Sequence, residues 1–240
     1  MKWGSVLGLG ISVLWLSGCV TMTQQGQAEL RSTPIEMAES RIALGLGYLE
    51  QGNRVKARQS LQQALQHAPH YYRAQLSMAH YFEIVGENET AQQLYQTALR
   101  EHPRNGNVLN NYGAFLCKQG EYSRADQYFM RAVEQPYYYL IPASYENAGF
   151  CALKSGDKQK AHYYFERSLD HDPNRARSIL QLAKLEIDDD QFIPARLRLM
   201  KFHQQYGYQK TSLELLIELE KRSGNPALEN KYQALLAELV

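Results

Sequence analysis

Three cysteines and seven histidines carry the broadest chemistry in this sequence. Thiols can be acylated, ligate metals or pair as disulfides, and imidazoles can ligate metals or move protons. Cys19 lies near the start, in Leu16-Ser17-Gly18-Cys19. Cys117 and Cys151 fall in the stretches NNYGAFLCKQG (110–120) and NAGFCALKSG (147–156). The histidines (His67, His70, His80, His102, His162, His171 and His203) form no i,i+4 pair and no H-E-x-x-H motif. His67 and His102 precede Pro69 and Pro103, where a helix end favours a cation, so they read as helix-terminal residues rather than ligands. Asp188-Asp189-Asp190 lacks the spaced glycine and closing glutamate of a calcium loop and reads as a solvated turn. There is no P-loop, dinucleotide fingerprint or G-x-S-x-G. The expectation is no catalytic residue, no metal, no cofactor and no small-molecule substrate.

Composition narrows the field further. The 240 residues carry a formal net charge of +1, and 21% are charged. With no positive excess and no basic block with interleaved aromatics, no nucleic-acid partner is expected. Met1-Lys2 is a short basic start, and residues 3–16 (WGSVLGLGISVLWL) are apolar apart from two serines. That run is shorter than the roughly 20 residues a spanning helix needs, and it reads as a signal sequence. Leu16-Ser17-Gly18-Cys19 resembles the lipobox of bacterial lipoproteins. The resemblance implies cleavage before Cys19, a diacylglyceryl group on its thiol and acylation of the new amine; several acyl chains give a stable anchor where one is marginal. Val20, in place of the aspartate linked to inner-membrane retention, implies the periplasmic face of the outer membrane. The alternative is a plain signal peptide with an incidental cysteine. Residues 1–18 are thus read as signal peptide, and 19–37 as the lipidated cysteine and a flexible polar tether.

The remainder has a period. The alanines Ala57, Ala91, Ala125, Ala161 and Ala195, each followed four residues later by Leu, Tyr or Phe, are spaced 34, 34, 36 and 34 apart. A turn residue stands five positions before each: Gly52, Gly86, Gly120, Gly156 and Asp190. A small residue stands twelve before: Gly45, Ala79, Gly113, Gly149 and Ala183. Pro69, Pro103, Pro136 and Pro173 follow the first four. This is the tetratricopeptide pattern of helix-turn-helix units. Small residues let paired helices approach, the glycine ends the first helix in the left-handed conformation, and the proline stops the second. The expected fold is an all-α tetratricopeptide-repeat superhelix of about six repeats, at 38–71, 72–105, 106–139, 142–175, 176–209 and 210–240. The fifth is degenerate and the sixth caps the stack. The two-residue excess falls on Pro136-Tyr137-Tyr138-Tyr139-Leu140-Ile141-Pro142, which reads as a longer loop.

First helices of stacked repeats line a concave groove, commonly through positions 2, 5, 9 and 12. Repeat 1 contributes Glu39, Ile42, Leu46 and Leu49; repeat 2, Arg73, Leu76, His80 and Glu83; repeat 3, Asn107, Asn110, Ala114 and Cys117; repeat 4, Ala143, Glu146, Phe150 and Leu153. The lysine and asparagine set with which chaperone-tail repeats clamp a carboxylate is not found at these positions. Ile42, Leu46, Leu49 and Leu76 suit a peptide segment of a partner, or alternatively bury against the tether or a neighbouring helix. Tyr137, Tyr138 and Tyr139, in the loop, read either as partner anchors, Tyr138 foremost, or as packing between repeats.

The motif N-N-Y-G-x-F-L-C-x-x-G at Asn110–Gly120, followed by N-A-G-x-C at Asn147–Cys151, resembles the signature of the type IV pilus biogenesis and stability lipoproteins, the PilF/PilW-type pilotins. The resemblance implies a non-enzymatic outer-membrane lipoprotein that binds pilus secretin subunits and promotes their localisation and multimer assembly. A scaffold or regulator of cell-wall enzymes or of outer-membrane protein assembly is the second reading. Asn110 and Asn111 belong either to the fold or to the partner contact. With Cys19 lipidated, Cys117 and Cys151 remain at near-equivalent points of adjacent repeats, in an oxidising compartment. They form a disulfide between repeats 3 and 4, or two reduced thiols at helix contacts; compartment and placement favour the bond. The N-terminal reading predicts that labelled lipid enters the wild-type chain and not Cys19→Ala; equal labelling overturns it.

Overall fold

A computed structural model describes residues 32–239. Cys19, the signal peptide and the tether up to residue 31 lie outside the described residues. Among those described there are twelve α-helices and no strand. They pair as α1 (Pro34–Glu50) with α2 (Arg54–His67), α3 (Tyr72–Val85) with α4 (Asn88–Glu101), α5 (Gly106–Lys118) with α6 (Tyr122–Val133), α7 (Ile141–Ser155) with α8 (Lys158–His171), α9 (Ala176–Asp188) with α10 (Phe192–Tyr206), and α11 (Lys210–Arg222) with α12 (Pro226–Glu238). The described residues form an all-α tetratricopeptide superhelix of six helix pairs.

Local chemistry sets the boundaries. The Asn53, Asn105, Asp157 and Asn225 side chains each accept a backbone N–H in the first turn of the helix that follows. Gly86 and Gly156 end α3 and α7 in the left-handed region, at φ 86° and 83°. Where the fifth repeat lacks the glycine, Asp190 takes φ 58° and its carboxylate accepts from Arg222 at 2.6 Å. One boundary differs from the sequence reading. The tether was expected to run to residue 37, but α1 begins at Pro34, because Thr33 and Glu36 form a reciprocal capping box and Pro34 is preset for a first turn.

Inside the first, third and fourth pairs, a glycine of the first helix receives a large side chain from the second. A Cβ added to Gly45 would lie 2.6 Å from Leu61, one on Gly149 2.7 Å from Phe165, and one on Gly113 3.0 Å from Phe129. Leu61, Phe129 and Phe165 are all buried. A main apolar cluster runs from Leu49 to Leu185, and a second, from Ala183 to Tyr232, serves the last two repeats. Near the point where one cluster gives way to the next, burial turns ionic. Buried Glu146 accepts from Arg175 at 2.7 Å and from Ser178 at 2.9 Å. Buried Glu186 pairs with Arg198 at 2.5 Å, and buried Glu220 with Arg196 at 2.7 Å.

Gly149→Ala should therefore lower stability by about 1–3 kcal/mol, the usual range for overpacking. Gly47→Ala, at a helical position with nothing within 4 Å of the new methyl, should leave stability unchanged or raise it by up to about 1 kcal/mol. Urea denaturation checks the pair; equal effects would refute the packing account.

Candidate partner-binding surface

The first helices α1, α3, α5 and α7 line the concave side. Between α1, α3 and α5 lies a cavity of about 380 Å³, walled by Leu46, Tyr72, Arg73, Leu76, Ser77, His80, Asn107 and Asn111, with Tyr139 and Leu140 of the long loop at its edge. Arg73 is held by Glu39 at 3.0 Å, and Tyr71 donates to the same carboxylate. Burial of His80 on α3 pushes its pKa down, which keeps its imidazole neutral at pH 7. The opening therefore combines leucine and tyrosine surface with a few amide, hydroxyl and imidazole groups.

The residues expected to meet a partner divide here. Leu46 is half-buried on the cavity wall, and Leu76 shows its edge there. Asn111 also lines it, with its Nδ2 donating to the Asn107 carbonyl at 2.8 Å. Ile42 does not line it. It is 2% exposed among Ala38, Ala64, Ala68 and Ala74, whose small side chains leave room for one branched residue. Leu49 is buried too, in the main cluster. Asn110 belongs to the fold: its Oδ1 accepts from Ser144 at 3.0 Å and Asn147 at 3.1 Å, tying α5 to α7.

Tyr138 is a further correction to the partner-anchor reading. It is 7% exposed, lies flat on Gly106, where a Cβ would meet its ring at 2.4 Å, and its hydroxyl is 2.8 Å from Ser144 Oγ. Its neighbours point out instead. Tyr137 is fully exposed with φ 62°, and Tyr139 is 78% exposed. The run expected to anchor a partner or to pack thus divides, with its outer two rings exposed and its middle one buried. The alternation of side chains about a buried Tyr138 was the available signal, but Gly106, which selects it, lies about a full repeat away.

Cys117 of α5 and Cys151 of α7 are joined as a disulfide, with Cα atoms 5.8 Å apart and both residues buried. Together with Asn110, the bond fixes repeat 3 to repeat 4 across the long loop.

The tetratricopeptide repeat family matches residues 94–127 and 142–175, the second coinciding with repeat 4 as read from the sequence. The type IV pilus assembly protein PilF of Pseudomonas aeruginosa is 34% identical over 206 residues, covering 86% of this chain and 82% of that protein. The chain belongs to the type IV pilus biogenesis family of tetratricopeptide-repeat proteins. A solved structure of Pseudomonas aeruginosa PilF superposes with a TM-score of 0.72 at 33% identity, covering 86% of this chain and 93% of that one. The structure of PilW, a widely conserved type IV pilus biogenesis factor, gives 0.72 at 26% identity, covering 83% and 91%. Yeast Tom70, at 14% identity, shares the fold alone. These likenesses to pilus biogenesis proteins span both the cavity side and the disulfide-linked repeats.

In this pilus biogenesis chain, Cys117→Ala with Cys151→Ala should lower stability by about 3–4 kcal/mol in the chain-entropy account for a 34-residue separation. Urea titration with and without reductant measures it. Reductant should shift the wild type and leave the double variant unmoved; identical midpoints throughout would refute a stabilising bond.

Proposed function

We propose that the chain is an outer-membrane lipoprotein of the pilotin kind, which binds subunits of the pilus secretin and promotes their localisation and multimer assembly. The observation that carries this reading is the mixed apolar and polar cavity of α1, α3 and α5 in a chain 34% identical to PilF over most of its length. An exposed leucine and tyrosine surface on a preformed concave scaffold suits a peptide or helix of a protein partner. The fold acts by holding and presenting rather than by bond chemistry. The lipid expected at Cys19 would keep what it holds at the membrane.

Leu46→Glu places a charge on the cavity wall at a half-buried position. It should weaken co-purification of the secretin by at least about tenfold while leaving helicity unchanged. Deletion of the gene should abolish secretin multimers and leave cell shape normal. Full secretin binding by Leu46→Glu, or envelope defects with intact secretin multimers, would overturn the proposal; the second outcome would favour a regulator of cell-wall enzymes.

A further inference from the structure

A second concave cavity, of about 280 Å³, lies beside the disulfide where α5, α7 and α9 meet. Its apolar wall is Phe150, Ala114 and the bonded cysteines, and three cations stand around it: Lys118, Lys154 and Arg177. Lys118 and Lys154 occupy equivalent positions of repeats 3 and 4, one beyond the position usually taken to face the groove.

The acids nearest these cations are already engaged. Glu83 takes Lys118 at 2.6 Å and is hydrogen-bonded by Tyr95 as well; its side chain is 7% exposed. Glu146 is buried and held by Arg175 and Ser178, so Arg177, at 3.6 Å and 68% exposed, is a surplus charge over it. The Arg177 guanidinium lies 4.4 Å from the centroid of the Phe150 ring, which aims it across the cavity mouth. Lys154 is exposed and has no acidic partner among the described residues. Arg175, Arg177, Lys118 and Lys154 thus face two carboxylates, a local surplus of two positive charges in a chain whose net charge is only +1. The Nδ2 of Asn147 is spent on Asn110, and its oxygen is left for a donor.

We propose that this cavity receives an extended segment of a protein partner that carries acidic side chains beside an aromatic or aliphatic one. The carboxylates meet Lys154, Lys118 and Arg177, and the apolar side chain covers Phe150 and the disulfide. Charge complementarity selects this occupant. An apolar helix alone would bury Lys154 unpaired, which is costly, and the volume admits side chains from a strand-like segment rather than a whole helix. The inference rests on the concave face being the partner surface, and not on which protein that partner is.

Fluorescence anisotropy with the full chain in detergent reads it directly. The probes are two identically labelled peptides of about ten residues, one centred on Asp-Phe-Asp and one on Asn-Phe-Asn. At low salt the acidic peptide should bind at least about tenfold tighter, and the preference should shrink as salt screens it. Lys154→Glu, at an exposed site with no ion pair or hydrogen bond to lose among the described residues, should remove the preference, whereas Lys231→Glu, the same charge change on α12, should keep it. Equal affinities for the two peptides, no binding of either, or the same loss in both variants would overturn the proposal. No secretin is present in this assay, so its failure leaves the secretin reading standing, and the failure of secretin co-purification leaves this result standing.

Discussion

The close approach of the two helices within a repeat is the contact on which everything else depends. A side chain of hydrogen at Gly45, Gly113 or Gly149 leaves a hollow that Leu61, Phe129 or Phe165 fills completely. Because the hollow and its filler lie sixteen residues apart in the sequence, each unit closes on itself before it stacks on the next. Helix-to-helix distance, the tilt of the first helices and hence the width of the concave face all follow from that one steric fit. The glycines that end α3 and α7 only turn the chain; the glycines that receive a large side chain from the second helix set the architecture.

Where that fit weakens, buried charge takes over. Glu146 of repeat 4 holds Arg175 at the start of α9 and Ser178 within it, Glu186 and Arg198 bind within repeat 5, and Glu220 and Arg196 bind repeat 5 to repeat 6. Such pairs add little net stability over a well-packed apolar contact, since both ions must be desolvated. They are directional, however. A guanidinium that must meet two carboxylate oxygens admits one orientation of its helix, whereas leucine surface admits several. The last two repeats, with their own smaller apolar cluster, are positioned by geometry more than by burial.

The repeat architecture was legible because it is periodic: the alanine, glycine and proline marks recur whether or not any one contact is understood. The two thiols were legible for the same reason, since near-equivalent positions in stacked units become neighbours. The groove was only partly legible. Position within a repeat does not reveal that Ile42 is buried in one cluster with four alanines contributed by α1, α2, the residue that caps α2, and α3, or that Glu146 is held by an arginine 29 residues later. In Tyr137-Tyr138-Tyr139 the residues are chemically identical, and only the bare backbone at Gly106 decides which ring turns inward. Contacts between repeats hide from a pattern defined within them.

The bond between Cys117 and Cys151 also has a mechanical meaning. A solenoid pulled from its two ends yields unit by unit, because each touches only its neighbours. Here the load crosses from α5 to α7 through sulfur, and α6, the long loop and most of α7 carry none of it. At roughly 3.3–3.6 Å per extended residue, the bridged 34-residue separation withholds roughly 110–120 Å of contour from any stretching force. The outer repeats can pay out in turn, while the middle of the molecule is a closed ring that cannot lengthen.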